Sequence, residues 1–255
     1  MSDVIYEKQG HIAFIRLNRP DSLNAINRSM TKELSKIWCD FRDDNSLWVA
    51  VLSGEGKTFC AGADVKELAV EKWEFRQSLI FGDDRCIPSN YGVWKPLIAA
   101  VHGHVYGAGL LLALECDIIV ATNDAMFGIP EGKVGIVTLF APFLSDYMPR
   151  KVAAELLFTG KPIDAQRAYQ LGLVNKVTLF KDLLSVAIAT ANEICDNSPL
   201  ATWATKQLFY RSRNMDYGSA LALIEHIATP VSNTEDAIEA KRAFAEKRKM
   251  QWKLK

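Results

Sequence analysis

The sequence predicts an α/β domain whose strands are covered by helices on both faces, followed by a helical region. Three observations predict it. Short apolar runs recur, each stopped by glycine or a polar turn, and helix-period segments lie between them. After about Pro149 the pattern becomes almost wholly helical. Finally, 49% of the 255 residues are hydrophobic, enough to bury a large core in one big domain or two unequal ones.

The elements follow in order. HIAFIRLNR (11–19) alternates apolar and polar residues and reads as a strand. NRSMTKELSKIWCDFRDD (27–44) has helical spacing, with Asn27 as its N-cap. WVAVLSGEG (48–56) and PLIAAVHG (96–103) are apolar runs ended by glycine, so buried strands. AGLLLALEC (108–116) is a helix and DIIVATND (117–124) a third buried strand. Helices over RKVAAELLFTG (150–160) and IDAQRAYQLG (163–172) end at Gly160 and Gly172. FKDLLSVAIATANEICDN (180–197) and ALALIEHIA (220–228) follow, then a basic helix and tail from Thr234 to Lys255. The division falls at about residue 190, into an α/β part (1–190) and a helical part (191–255) without a linker.

Composition narrows the function. Lysine plus arginine equal aspartate plus glutamate, 30 each, so no overall charge points to nucleic acid or an acidic membrane. The five cysteines are scattered and form no C-x-x-C pair, which suggests neither a disulfide framework nor a zinc site. A reduced, cytoplasmic protein is expected. The start, MSDVIYEKQG, is not a charged-then-apolar leader, and no apolar run approaches the ~18 residues of a membrane span.

Two turns carry the chemistry. TFCAGADVKEL (58–68) puts Ala61, Gly62 and Ala63 directly after a predicted strand, and HGHVYGAGL (102–110) puts Gly107, Ala108 and Gly109 where a helix begins. Small residues let a ligand approach the backbone, and a helix start leaves N–H groups unpaired. One N–H from each turn would make an oxyanion hole; each turn taken alone reads more readily as a tight strand-to-helix connection. The chain lacks G-x-x-x-x-G-K-[ST] and G-x-G-x-x-G, which counts against nucleotide phosphate cradles.

The context of these turns is more specific. NRPDSLNAI (18–26), FCAGADVKEL (59–68), KPLIAAVHGHVYGAG (95–109), CDIIVATNDAMFGIPEGKVGI (116–136), TGKPIDAQRAYQLGLVNKV (159–177) and AFAEKRKMQW (243–252) occur in this order. Together they resemble the enoyl-CoA hydratase/isomerase (crotonase) family over nearly the whole chain. The resemblance implies a crotonase-fold spiral of ββα repeats, a C-terminal helical trimerisation region and a homotrimer or hexamer. It also implies an acyl-CoA substrate carried as a coenzyme A thioester, with no permanently bound cofactor. The thioester oxygen would be held by the N–H groups of Ala63 and Ala108. The CoA moiety would lie along Ala61, Asp64 and Lys66, with Phe244 and Lys247 contributed by the C-terminal segment, often from a neighbouring subunit. The segment Asp21-Ser22-Leu23 lacks the basic residue common there in the family.

Family hydratases resemble one another in using two glutamates. One is present here, Glu131 in FGIPEGKVG; the other position aligns with Leu111, which cannot transfer a proton or hold water. Hydration needs a placed water and proton transfer at two carbons, whereas shifting a double bond needs one base. The departure therefore favours a Δ3-Δ2 enoyl-CoA isomerase over a hydratase, another acyl-CoA lyase or a non-catalytic acyl-CoA binder. A second departure, Phe140, Ala141, Phe143 and Leu144 where small residues are common, predicts a more apolar acyl pocket; repacking of a core stretch gives the same residues. Ser145, Asp146 and Tyr147 add polar groups beside it, candidate contacts for an unusual acyl group. Glu115 lies four residues beyond Leu111 on the same helix face, and its simplest role is in a buried polar network. His102 and His104 flank Gly103 without a third ligand nearby. Glu71, Glu74, Asp83 and Asp84 lie in a region that walls the acyl pocket in family members, although such acids are most often solvated.

Overall fold

The computed structural model describes residues 2–70 and 85–255. Among these, the strands are β1 (Val4–Gln9), β2 (Ile12–Leu17), β3 (Val49–Gly54), β4 (Leu97–Val101), β5 (His104–Tyr106), β6 (Ile118–Thr122), β7 (Met126–Gly128), β8 (Ile163–Asp164) and β9 (Lys176–Thr178). The helices are α1 (Arg28–Asp43), α2 (Val65–Val70), α3 (Ala108–Leu114), α4 (Arg150–Thr159), α5 (Ala165–Gln170), α6 (Leu183–Cys195), α7 (Pro199–Arg211), α8 (Tyr217–Ser232) and α9 (Glu235–Ala245).

The large sheet runs β1-β2-β3-β4-β6-β9. Only the β1–β2 pair is antiparallel; the remaining neighbours are parallel. Parallel strands are buried on both faces, and successive side chains divide between them. Val49, Val51, Ile98, Ala100 and Val120 pack against Leu183, Ala187 and Ala191 of α6. The alternate residues Ala50, Leu52, Ala99, Val101 and Ala121 face the opposite core, which holds α1 and α3. Helix α1 fits there because Met30, Leu34, Trp38 and Phe41 recur on one face, and the Asn27 side chain caps it by accepting the Met30 N–H at 2.8 Å.

A small sheet, β5-β7-β8, lies beside the large one. Its strands hold two or three residues each, too few to show periodicity, which is why the sequence predicts none of them. The expectation of an almost purely helical chain beyond Pro149 is corrected by β8 and β9: β8 pairs with β7, and β9 closes the edge of the large sheet through β6. Residue 190 falls within α6, which packs on the sheet. Helix α7 is a further addition to the predicted elements; Ser198 caps it by accepting the Ala201 N–H, and Pro199 opens its first turn.

The small sheet explains the repeat. A long strand in the large sheet is followed by a short strand or bridge in the small one and then by a helical turn. This happens at β3, the Cys60 bridge and α2; at β4, β5 and α3; and at β6, β7 and the 3-10 turn Glu131–Val134. Cys60 bridges Val105 and Val105 pairs with Phe127, all in parallel, so three successive turns emerge side by side.

Candidate active site

Those three turns carry the residues singled out in the sequence. Ala63 lies three residues past Cys60, Ala108 three past Val105, and Glu131 four past Phe127. The parallel pairing holds them together: Cys60 N–H donates to His104 O at 3.0 Å, Tyr106 N–H to Cys60 O at 3.0 Å, and Gly107 N–H to Gly128 O at 3.0 Å. The N–H groups of Ala63 and Ala108 donate to no group among the described residues.

Two glycines allow this approach. Gly62 has φ +107, and a Cβ there would stand 3.2 Å from Tyr106 O and 3.7 Å from Ala108 N, so the first two turns touch. Gly107 has φ +52, and its Cβ would fall 2.6 Å from Glu131 Oε1. The Glu131 carboxylate therefore occupies the space that a side chain at residue 107 would fill, directly beside the Ala108 turn. Its Oε2 is buried and has no hydrogen-bond partner. Burial raises its pKa above the ordinary glutamate range, opposed only by its own backbone N–H. A carboxylate so placed is a stronger base than an exposed one.

A cleft of about 790 Å³ opens over the turns. Ala61, Ala63, Ala108 and Glu131 line it, and the remaining wall is largely apolar, including Val134, Ile136, Val137 and Leu139. Among the described residues Glu131 is the one acid lining it. Unpartnered N–H donors beside a buried base can polarise a carbonyl and move the proton on its α-carbon.

The segment 18–26 buttresses the first turn. Asn24 is fully buried with φ 53. Its amide donates to Glu55 O and Thr58 O, both at 2.8 Å, and its Oδ1 accepts the Arg19 N–H at 2.8 Å. Around it, Ala61 N–H donates to Leu23 O at 3.0 Å and Ile26 N–H to Gly62 O at 2.8 Å. Asn24 is a positioning residue that the sequence reading passes over; its signal is a lone Asn in an apolar context, able to adopt the left-handed conformation. Asp64 pairs with Arg19 at 3.0 Å and accepts the Lys66 and Glu67 N–H groups, so it anchors the start of α2.

Lys66 is exposed, between Val65 and Leu68, which line the cleft. Phe244, 80% exposed, and exposed Lys247 stand on and after α9 and do not line this chain's cleft. The second departure divides. Phe140 lines the cleft, and Phe140, Phe143, Leu144 and Tyr147 line an adjacent chamber, whereas Ala141 lines neither. Asp146 forms an ion pair with Arg213, and Ser145 is exposed. Leu111 is buried and lines the chamber, as does Glu115, whose Oε2 accepts the Ser89 N–H at 3.3 Å. His102 is buried with Nε2 3.1 Å from Gly56 O, and burial lowers its pKa; exposed His104 stacks on Tyr106. Neither histidine lines the cleft. Glu71, Glu74, Asp83 and Asp84 lie outside the described residues.

Residues 7–255 match the family model described as Enoyl-CoA hydratase/isomerase. A short-chain-enoyl-CoA hydratase of Clostridium acetobutylicum is 36% identical, covering 98% of this chain and 97% of that protein. An (E)-benzylidenesuccinyl-CoA hydratase of Thauera aromatica is 34% identical over 96% of each. The crystal structure of an enoyl-CoA hydratase from Mycobacterium tuberculosis superposes with a TM-score of 0.92 at 37% identity, covering 99% of both chains.

Proposed function

The chain belongs to the enoyl-CoA hydratase/isomerase family and has its crotonase fold, and from that premise we propose that it shifts a double bond, from C3=C4 to C2=C3, in an acyl-CoA thioester. The family acts on coenzyme A thioesters; the isomerase assignment is the finer step. One observation carries it. Glu131 is the single acid lining the cleft among the described residues, and Leu111 stands where the resemblance calls for a second carboxylate.

The chemistry balances with one base. The thioester oxygen accepts hydrogen bonds from the Ala63 and Ala108 N–H groups. Glu131 removes a proton from C2; the C–H pair forms C1=C2 and the carbonyl pair moves to the oxygen, giving a dienolate. The oxygen then re-forms the carbonyl, C1=C2 becomes C2=C3, and the C3=C4 pair takes the proton back from Glu131 at C4. The carboxylate is regenerated. Burial serves both halves: it makes Glu131 basic enough to take the proton, and the cleft's apolar wall disfavours water as a competing acceptor.

The relatives' names favour a second reading, water addition to a 2-enoyl thioester. Paired assays separate the two. With 3-hexenoyl-CoA the protein should isomerise, and Glu131→Gln should lose about 10²–10⁴-fold in kcat. Crotonyl-CoA should gain water slowly. Fast hydration of crotonyl-CoA would overturn the isomerase reading in favour of the hydratase.

CoA contacts belong to the same proposal. Lys66 supplies a cation at the cleft rim, Ala61 lets the thiol arm lie close to the backbone, and Asp64 fixes the turn. Phe244 and Lys247 serve a neighbouring subunit's cleft in a homotrimer or hexamer, with residues 191–255 as the oligomerisation region. Exposed aromatics on the C-terminal helices support this: Phe209, Tyr217 and Phe244 are 73–81% exposed in the single chain. A cytoplasmic location is part of this reading. No helix among the described residues is long and apolar enough to cross a membrane.

A further inference from the structure

Behind Leu111 lies a chamber of about 260 Å³ that shares Phe140 with the cleft. Leu111, Leu114, Phe140 and Leu144 give it apolar walls. Glu115 and Tyr147 line it as well, and Glu115 stands one helical turn beyond Leu111, its N–H donating to Leu111 O at 3.0 Å. Glu115 is half-buried and is held by Ser89, through its backbone N–H at 3.3 Å and its side chain, which still leaves acceptor capacity among the four lone-pair positions of a carboxylate. Burial raises its pKa despite those bonds. Burial first, and then the charge of Glu115, push the Tyr147 phenol up to about 12. Arg213 also lines the chamber and is paired with Asp146.

We infer that this chamber is the subsite for the distal end of the acyl group, and that Glu115 and Tyr147 select an acyl chain ending in a hydroxyl. The inference rests on the reading above only in placing the thioester oxygen at Ala63 and Ala108. The dimensions agree. Ala108 and Glu115 are seven residues apart on one helical run, about 10 Å at ~1.5 Å per residue. An extended chain covers ~3.5 Å in three bonds, so about nine bonds bridge that span. A cavity of ~150 Å³ holds benzene, so the chamber has room for a chain end of several carbons. An apolar sleeve ending in a carboxylate and a phenol matches a chain that is apolar until its last atom. The carboxylate accepts the hydroxyl proton, and the phenol donates to the hydroxyl oxygen. A methyl at that point would offer nothing to the Tyr147 hydroxyl or to the acceptor positions that Ser89 leaves open on Glu115, and a polar pocket rejects an analogue lacking its hydrogen-bonding group far more strongly than an apolar one rejects an extra methylene.

The test is calorimetric titration of the full-length protein with 8-hydroxyoctanoyl-CoA and nonanoyl-CoA. Both are saturated, so neither offers a double bond to move or hydrate, and they differ only in a terminal hydroxyl against a methyl. The hydroxy ester should bind about 10- to 100-fold more tightly. Tyr147→Phe and Glu115→Gln should each bring that ratio down by about tenfold. Tyr147→Phe is nearly isosteric and keeps the test intact if Glu115→Gln disturbs the Ser89 contact. Tighter binding of nonanoyl-CoA, or a ratio unmoved by both variants, overturns the inference. Glu131→Gln should keep the ratio. Its turnover of 3-hexenoyl-CoA tests the base separately, so either idea can fail without the other.

Discussion

The cleft and the chamber each hold one half-buried carboxylate, and they treat it differently. Glu131 stands with Oε2 unpartnered against a glycine that yields its space; Glu115 accepts a backbone N–H from Ser89. Burial raises both pKa values. What separates them is the hydrogen bond. A carboxylate with one oxygen unpartnered and no bond to another residue is left free to exchange a proton, while one held by a neighbouring segment makes a fixed acceptor. On the readings proposed above, two half-buried acids thus take a moving role and a static one.

The most severe way to break this contrast is to remove the moving acid, and the Glu131→Gln loss of about 10²–10⁴-fold in kcat is the largest effect expected. Next comes displacing it without removing it. Gly107→Ala puts a Cβ 2.6 Å from Oε1 at a residue with φ +52, and should cost about 10²-fold in kcat with the glutamate still present. Single-turnover assays would separate this from weakened binding. Asn24→Ala leaves both acids in place and loosens the first turn. It should lower stability by about 2–3 kcal/mol, read by denaturant unfolding, with a smaller loss of activity. The smallest effect concerns Glu131 itself. Its folded pKa is raised, so the native state favours the protonated form; that contribution is full below the unfolded pKa and lost as pH rises through the folded one. Glu131→Gln should therefore be more stable than wild type at neutral pH, by about 1 kcal/mol, and the gap should close in acid. A kcat/KM profile should show an acid limb above the ordinary glutamate range.

Much of this was legible in the sequence, for identifiable reasons. The strands β2, β3, β4 and β6 and the helix α1 carry enough residues for their periods to show, and Asn27, Gly160 and Gly172 mark helix ends. The small sheet was not, because Ile163–Asp164 and the three-residue strands carry no period. Helix α7 offered its Ser198-Pro199 start, but its apolar residues do not gather on one face. In the site, Ala63, Ala108 and Glu131 stand in distinctive short motifs. Asn24 was missed because its backbone acceptors, Glu55 and Thr58, lie more than thirty positions away. The chamber needed Glu115 and Tyr147 to be set together by α3 and the turn after Phe140, which no spacing announces.

The side-by-side turns have a consequence for how the site tolerates change. In the proposed mechanism two of them contribute only main-chain groups, and every amino acid but proline carries those. A saturation scan at residues 63 and 108 should report on bulk, with small residues accepted whatever their chemistry. The same scan at residue 131 should report on identity, with no tolerated neighbour in size alone. On the proposed reading, polarising the carbonyl is thus written into the path of the backbone, while the proton transfer that follows hangs on a single codon. New activities on this frame would arise by exchanging side chains around a hole that stays the same.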